Sequence, residues 1–192
     1  MKSSFLSLLA IVSAQAAFAT ASLDLGSASS NTPYDRYMAP VKRVLTHLEG
    51  EDTSIDRVRE LMHIGRNFRY SFTDPYVAAT PEKTATIHAG DCKAKALWLA
   101  DQLNDSSVRF VIGKARSSSR ISHAWLMWQH DSRWWILDCT NNREPIAADR
   151  ISSTQYIPFY SYAKAGTYRH RSTQLNVADA VANRGSSPVA AQ

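Results

Sequence analysis

The stretch GDCKAKALW, residues 90–98, sets Cys92, one of only two cysteines in the 192-residue chain, directly after Gly90 and Asp91 and at the start of a run with helical character. A thiol in the first turn of a helix meets N–H groups that the helix cannot pair and the positive end of its macrodipole. Both favour the thiolate, the nucleophilic form. Asp91 is a good N-cap, Gly90 can let the chain turn sharply, and Lys93 adds a nearby positive charge. N–H groups at such a turn can also hold a developing oxyanion. By itself the position fits an inert buried cysteine equally well. A nucleophilic thiol needs a base.

His123, in ISHAWLMWQHDSRWWILDCT (residues 121–140), is the candidate base. If the two apolar runs form a hairpin turning at His130-Asp131, His123 lies opposite Asp138 on one face of the sheet, the relation of a base to its orienting carboxylate. A slip of two residues keeps the pair as diagonal neighbours, whereas a slip of one puts them on opposite faces. Trp125, Met127, Trp134 and Ile136 share that face and would exclude water. Cys139 points to the other face. With the Cys92 helix packed on the His123 face, a Cys92–Cys139 disulfide would then need geometry that such bonds do not tolerate, so Cys139 is expected as a buried free thiol. Each residue also has a plainer reading: His123 as a structural histidine, and Asp138 as the cap of the loop TNNREP. His88, Asp91 and Cys92 suggest a zinc site, but Gly90 interrupts them and no fourth soft ligand lies near, so no metal ligand is assigned. His47, His63, His130 and His170 have no suggestive partners.

The elements that must position these groups follow from periodicity. Thr32-Pro33 opens a helix expected to run to about Leu48 and stop at Gly50, and a second starts at Thr53 with Ile55, Val58, Leu61, Met62 and Phe68 on one face. Residues 71–90 carry two prolines and little periodicity and read as a long ordered loop. A helix from Asp91 to Leu103 has Ala94, Leu97, Trp98 and Leu103 as its buried stripe. Val108–Gly113, Ser122–Gln129, Arg133–Cys139 and Gln155–Tyr162 are rich in β-branched and aromatic residues and read as strands. Helices followed by strands make an α+β domain, with N-terminal helices packed on an antiparallel sheet.

Residues 1–19 have the order of a secretory signal peptide: Lys2, an apolar run from Phe5 to Val12, and small residues at Ala17-Phe18-Ala19. The run is shorter than the roughly 20 residues a spanning helix needs. Residues 20–31 read as a flexible leader, 32–171 as one domain and 172–192 as a flexible tail. A composition 44% hydrophobic suffices for an ordinary core. The net charge of +5 comes from scattered basic residues without a nucleic-acid motif, which argues against nucleic-acid binding. Localisation is expected to be periplasmic or secreted.

The run PYVAATPEKTATIHAGDCKAKALWLADQL, followed by SHAWLMW, WWILDCTNN and YIPFYSYAKAGTYRH, resembles the transglutaminase-like superfamily, and most closely its bacterial transglutaminase-like cysteine peptidases. The resemblance covers about residues 54–170. It implies a papain-like α+β fold, with Cys92 as nucleophile, His123 as general base and acid, and Asp138 as its orienter. It also implies a periplasmic protein or peptide substrate, with envelope and surface proteins as candidates. Such peptidases usually carry an acidic residue directly after the cysteine, associated with calcium binding; Lys93 stands there, so no cofactor is expected and calcium is in doubt. The tryptophan often found just before Thr-Pro is also missing from YVAATP.

The expected function is an exported cysteine hydrolase that cleaves peptide or amide bonds through an acyl-enzyme. Two alternatives remain at this point. The same residues make a transglutaminase if a lysine amine resolves the acyl-enzyme, and the fold without turnover is a binding module.

Overall fold

The computed structural model describes residues 23–172. The expected signal peptide, residues 20–22 of the leader and residues 173–192 of the tail lie outside the described residues. Numbered in chain order, the helices are α1 (Ala39–His47), α2 (Ile55–Asn67), α3 (Pro81–Ile87) and α4 (Cys92–Leu103). The strands are β1 (Ser27–Ala28), β2 (Arg69–Tyr70), β3 (Ala89–Gly90), β4 (Arg109–Arg116), β5 (His123–His130), β6 (Arg133–Leu137), β7 (Ile146–Ala147), β8 (Gln155–Ala163) and β9 (Gly166–Arg169). Seven of them form one antiparallel sheet in the order β1-β9-β8-β4-β5-β6-β7, and β2 pairs with β3 in parallel. Helices packed on this sheet make the α+β fold expected from the element order.

The first helix is shorter than expected. Thr32-Pro33 leads into a single 3-10 turn at Asp35–Tyr37, and α1 begins at Ala39 with Pro40 in its first turn. A proline lacks the N–H and clashes with the preceding turn, so the helix has to restart around it. In α2 the cap is Ser54, whose Oγ accepts from the Arg57 N–H at 3.3 Å.

The expected loop at residues 71–90 contains α3. Thr80 Oγ1 accepts from the Lys83 N–H at 3.3 Å and Pro81 takes the first helical position, so Thr-Pro is a start signal here and not a break. His88 ends α3 in the left-handed conformation, with φ of 46°, and its ring packs 5.5 Å from that of Phe68. The next two residues pair with β2 and lead into α4. The glycine at position 90 serves close packing more than a sharp turn: a Cβ there would lie 2.9 Å from that of Ala94.

The helix α4 is the centre of the core. Cys92 to Ala100 are all buried, so the expected stripe is a cylinder, and Lys93 and Lys95, which look like surface residues in the sequence, are enclosed with it. Residues such as Leu97, Leu99, Phe110 and Leu126 are wholly buried, each contributing about 1.5–3 kcal/mol of transfer free energy.

The hairpin turns at Asp131-Ser132, both with positive φ (50° and 59°), so His130 faces Arg133. These are the signs of φ that the type I′ turn requires. The register is thus two residues from the expected one, and parity is kept. Ala124, Leu126, Trp128, Leu137 and Cys139 enter the main core with α4, while Trp125, Met127 and Ile136 form a smaller cluster.

Part of the expected flexible leader is ordered. Ser27 and Ala28 pair with Arg169 and Tyr168, and the Asp24 carbonyl oxygen lies 2.9 Å from Nδ1 of His170. Backbone pairing to an edge strand leaves little trace in the side-chain pattern of so polar a segment.

Candidate active site

Cys92 is the first residue of α4, and Asp91 caps the helix by accepting the Ala94 N–H at 3.1 Å. His123 is the first residue of β5, and Asp138 follows the last residue of β6. The turn shift makes His123 and Asp138 diagonal neighbours, and Nε2 of His123 lies 2.9 Å from Oδ2 of Asp138. Cys92 and this imidazole line the same cleft. With Nε2 turned to Asp138, Nδ1 is the ring nitrogen that the carboxylate leaves open. The three residues that the sequence singled out therefore converge.

One step of the sequence argument is corrected. The helix α4 packs on the sheet face that carries Cys139, not on that of Trp125, and the Cys139 thiol points at the Lys95 carbonyl, 3.7 Å away and one turn beyond Cys92. Both cysteines are free, though not for the reason of opposite faces. His123 shares the alternation of Trp125, with ring centroids 6.1 Å apart, but its place at the end of the strand lets it line one cleft with the helix start.

Asp138 is almost fully enclosed and accepts from several donors. Oδ1 takes the N–H groups of Thr140 and Asn141 at 3.1 and 3.3 Å, and Oδ2 takes Asn141 Nδ2 at 2.8 Å and the Tyr156 hydroxyl at 2.9 Å. It thus caps the following loop as well as pairing with the imidazole. Burial opposes the charged carboxylate, but His123, Asn141 and Tyr156 outweigh it and hold the group below the usual carboxylate range. Burial likewise opposes an imidazolium at His123. The hydrogen bonds and charges of Asp138 and Cys92 prevail and raise that group to about 10. Tyr156 is pushed up, first by burial and then by the Asp138 charge, so it stays a donor. Cys139 is pushed up to about 12 by burial and is inert near neutrality.

The candidate residues Cys92 and His123 line an open cleft of about 380 Å³, rimmed by Ser119, Ile121 and Ser122 of the loop before β5. On one side it continues into an aromatic cavity of about 290 Å³ containing Tyr34, Phe72 and Tyr76. On the other it meets a polar cavity of about 480 Å³ that includes Arg116 and Arg150, neither of which has an ion pair among the described residues.

The residues beside Cys92 do not fit a bound calcium ion. Asp91 is buried, and its carboxylate already accepts four hydrogen bonds: from the Ala94 N–H, the Thr73 N–H and Oγ1, and Lys93 Nζ. Four is about what a carboxylate can accept. Where a divalent ion would want further oxygen ligands, the Lys93 ammonium stands.

Sequence reasoning missed Asn141 and Tyr156. Asn141 had a local signal, since a side chain three residues beyond an aspartate can fold back on it within the same loop. Tyr156 had none, because only the packing of β8 beside β4 brings it to Asp138. His170 also has partners: Nε2 lies 2.9 Å from Oγ of Ser161, and both residues are buried.

No family model matches the chain, and no curated protein is significantly similar to it. Solved structures are similar to it in fold. An EGTA-treated form of Legionella pneumophila LapG has a TM-score of 0.50 and 16% identity, over 68% of this chain and 74% of that one. Another structure of LapG has a TM-score of 0.49 and 17% identity, over 74% of this chain and 83% of that one. A calcium-bound form has a TM-score of 0.49 and 16% identity, over 66% and 74%. The likeness is one of fold alone.

Proposed function

We propose that the chain is an exported cysteine peptidase or amidase working through Cys92, His123 and Asp138. The observation that carries this reading is a helix-start thiol and an imidazole lining one open cleft, with the imidazole 2.9 Å from an enclosed carboxylate. The imidazole of His123 already carries the proton near neutrality, and the Cys92 sulfur beside it attacks the carbonyl carbon of a bound amide. The carbonyl oxygen becomes an oxyanion, for which the N–H groups of Cys92 and Lys93, left unpaired by the helix, are the donors. The C–N bond breaks as His123 gives that proton to the leaving amine. Water, deprotonated by the same imidazole, then splits the thioester and frees the thiol. Asp138 keeps the ring oriented and stabilises its charged form. The substrate in this reading is a protein or peptide of the cell envelope, and the site of action is the periplasm or the medium.

The test is incubation of the purified protein and of Cys92→Ala with a peptide mixture, with new termini identified by mass spectrometry. New termini made only by the unsubstituted protein support hydrolysis. Incorporation of an added fluorescent amine in their place identifies a transglutaminase. Neither product, with peptides still bound, identifies a binding module.

A further inference from the structure

Lys93 is buried at the positive end of α4, where the macrodipole disfavours a cation. Two kinds of partner offset this. Its ammonium donates to Oδ2 of Asp91 and, at 3.1 Å, to the Thr73 carbonyl, and it lies 5.4 and 5.1 Å from the ring centroids of Phe72 and Tyr76. Thr73 in turn donates its N–H and hydroxyl to the same Asp91 oxygen, at 3.2 and 2.8 Å. One buried cation and one buried anion thus clamp the loop at Thr73 to the helix start. That loop supplies Phe72 and Tyr76 to the aromatic cavity beside Cys92.

We infer that Lys93 is a resident cation: its ammonium does beside Asp91 the structural work that a bound divalent ion would do, and it positions the turn that presents Cys92. Its side chain is a positioning group that acts through Asp91 and Thr73. Its value to turnover rests on the proposed role of Cys92, but its value to the fold does not. A positive charge supplied by the chain cannot be removed by a chelator. Exchanging it for an acidic residue would leave two carboxylates side by side, a site that asks for a metal.

The experiment measures the melting temperature and the rate of Cys92 alkylation by iodoacetamide, in millimolar calcium chloride and in EGTA, for the unsubstituted protein, Lys93→Met and Lys93→Glu. The unsubstituted protein is expected to melt and react identically in both solutions. Lys93→Met should lose about 10- to 100-fold in alkylation rate, the scale of misplacing a reacting atom by about 1 Å, and regain nothing with calcium. Lys93→Glu should melt higher in calcium than in EGTA. A calcium-dependent melting temperature in the unsubstituted protein overturns the inference, and so does an unchanged alkylation rate in Lys93→Met. If Lys93→Met does not fold, the calcium response of the unsubstituted protein still decides. Sluggish Cys92 alkylation in the unsubstituted protein would sink the hydrolase reading alone, since the melting comparison needs no activity.

Discussion

Oδ2 of Asp138 lies 2.9 Å from Nε2 of His123 and also accepts from Asn141 and Tyr156, so the carboxylate that aims the imidazole is itself fixed on several sides. Removing its charge should disable the base and leave the cleft intact. Asp138→Asn is expected to lower kcat by about 10²- to 10⁴-fold with a smaller change in KM. Tyr156→Phe removes one donor among five and should cost about 10-fold or less. Steady-state kinetics on a cleaved peptide measures both.

The pH dependence of stability follows from the same pair. His123 is raised from 6.5 to about 10 in the folded chain, so between those values the folded state holds a proton that the unfolded state has released. Its contribution is complete below 6.5 and is lost as pH rises through about 10. Urea unfolding of the unsubstituted protein and of His123→Ala across this range should give a stability difference that shrinks steadily. A difference that grows with pH would contradict the assignment.

His170 works in the opposite sense. Burial holds its imidazole below the usual range despite the opposing charge of Asp24, and the ring ties Ser161 to the segment at Asp24. The folded state therefore binds this proton later than the unfolded state on acidification, and the contribution present above 6.5 is lost as pH falls below it. Protease cleavage near residues 24–28 is expected to increase on mild acidification. In His170→Gln that dependence should flatten.

Two guanidinium groups without an ion pair among the described residues, those of Arg116 and Arg150, line the cavity next to the Cys92 cleft. They should favour peptides with an acidic side chain on that side of the cleaved bond. Substituting both with alanine is expected to raise KM for such peptides by about 10-fold and to leave neutral peptides unaffected. Added salt should narrow the gap in the unsubstituted protein.

How much of this was legible in the sequence depends on the range of the cause. The shared side of His123 and Asp138 was legible, because side-chain alternation survives an error of two residues. The register was not: Asp131-Ser132 lacks the glycine that usually marks a turn with two positive φ values. The α3 helix hid behind a proline read as a breaker, though Thr80 before it is a cap. The burial of Lys93 and Lys95 was not legible, because a periodic pattern cannot show that a helix is covered all round. Tyr156 comes from a strand separated from Asp138 in sequence and joined to it only by the sheet.

The central claim is that Cys92 is activated by His123. Its most direct measurement is the pH profile of iodoacetamide alkylation, resolved by mass spectrometry for each cysteine, in the unsubstituted protein and in His123→Ala. Preferential modification of Cys92 below neutrality, abolished by the substitution, with Cys139 untouched until the chain is denatured, is the expected result. Equal and slow modification of both thiols, unchanged in His123→Ala, would contradict it.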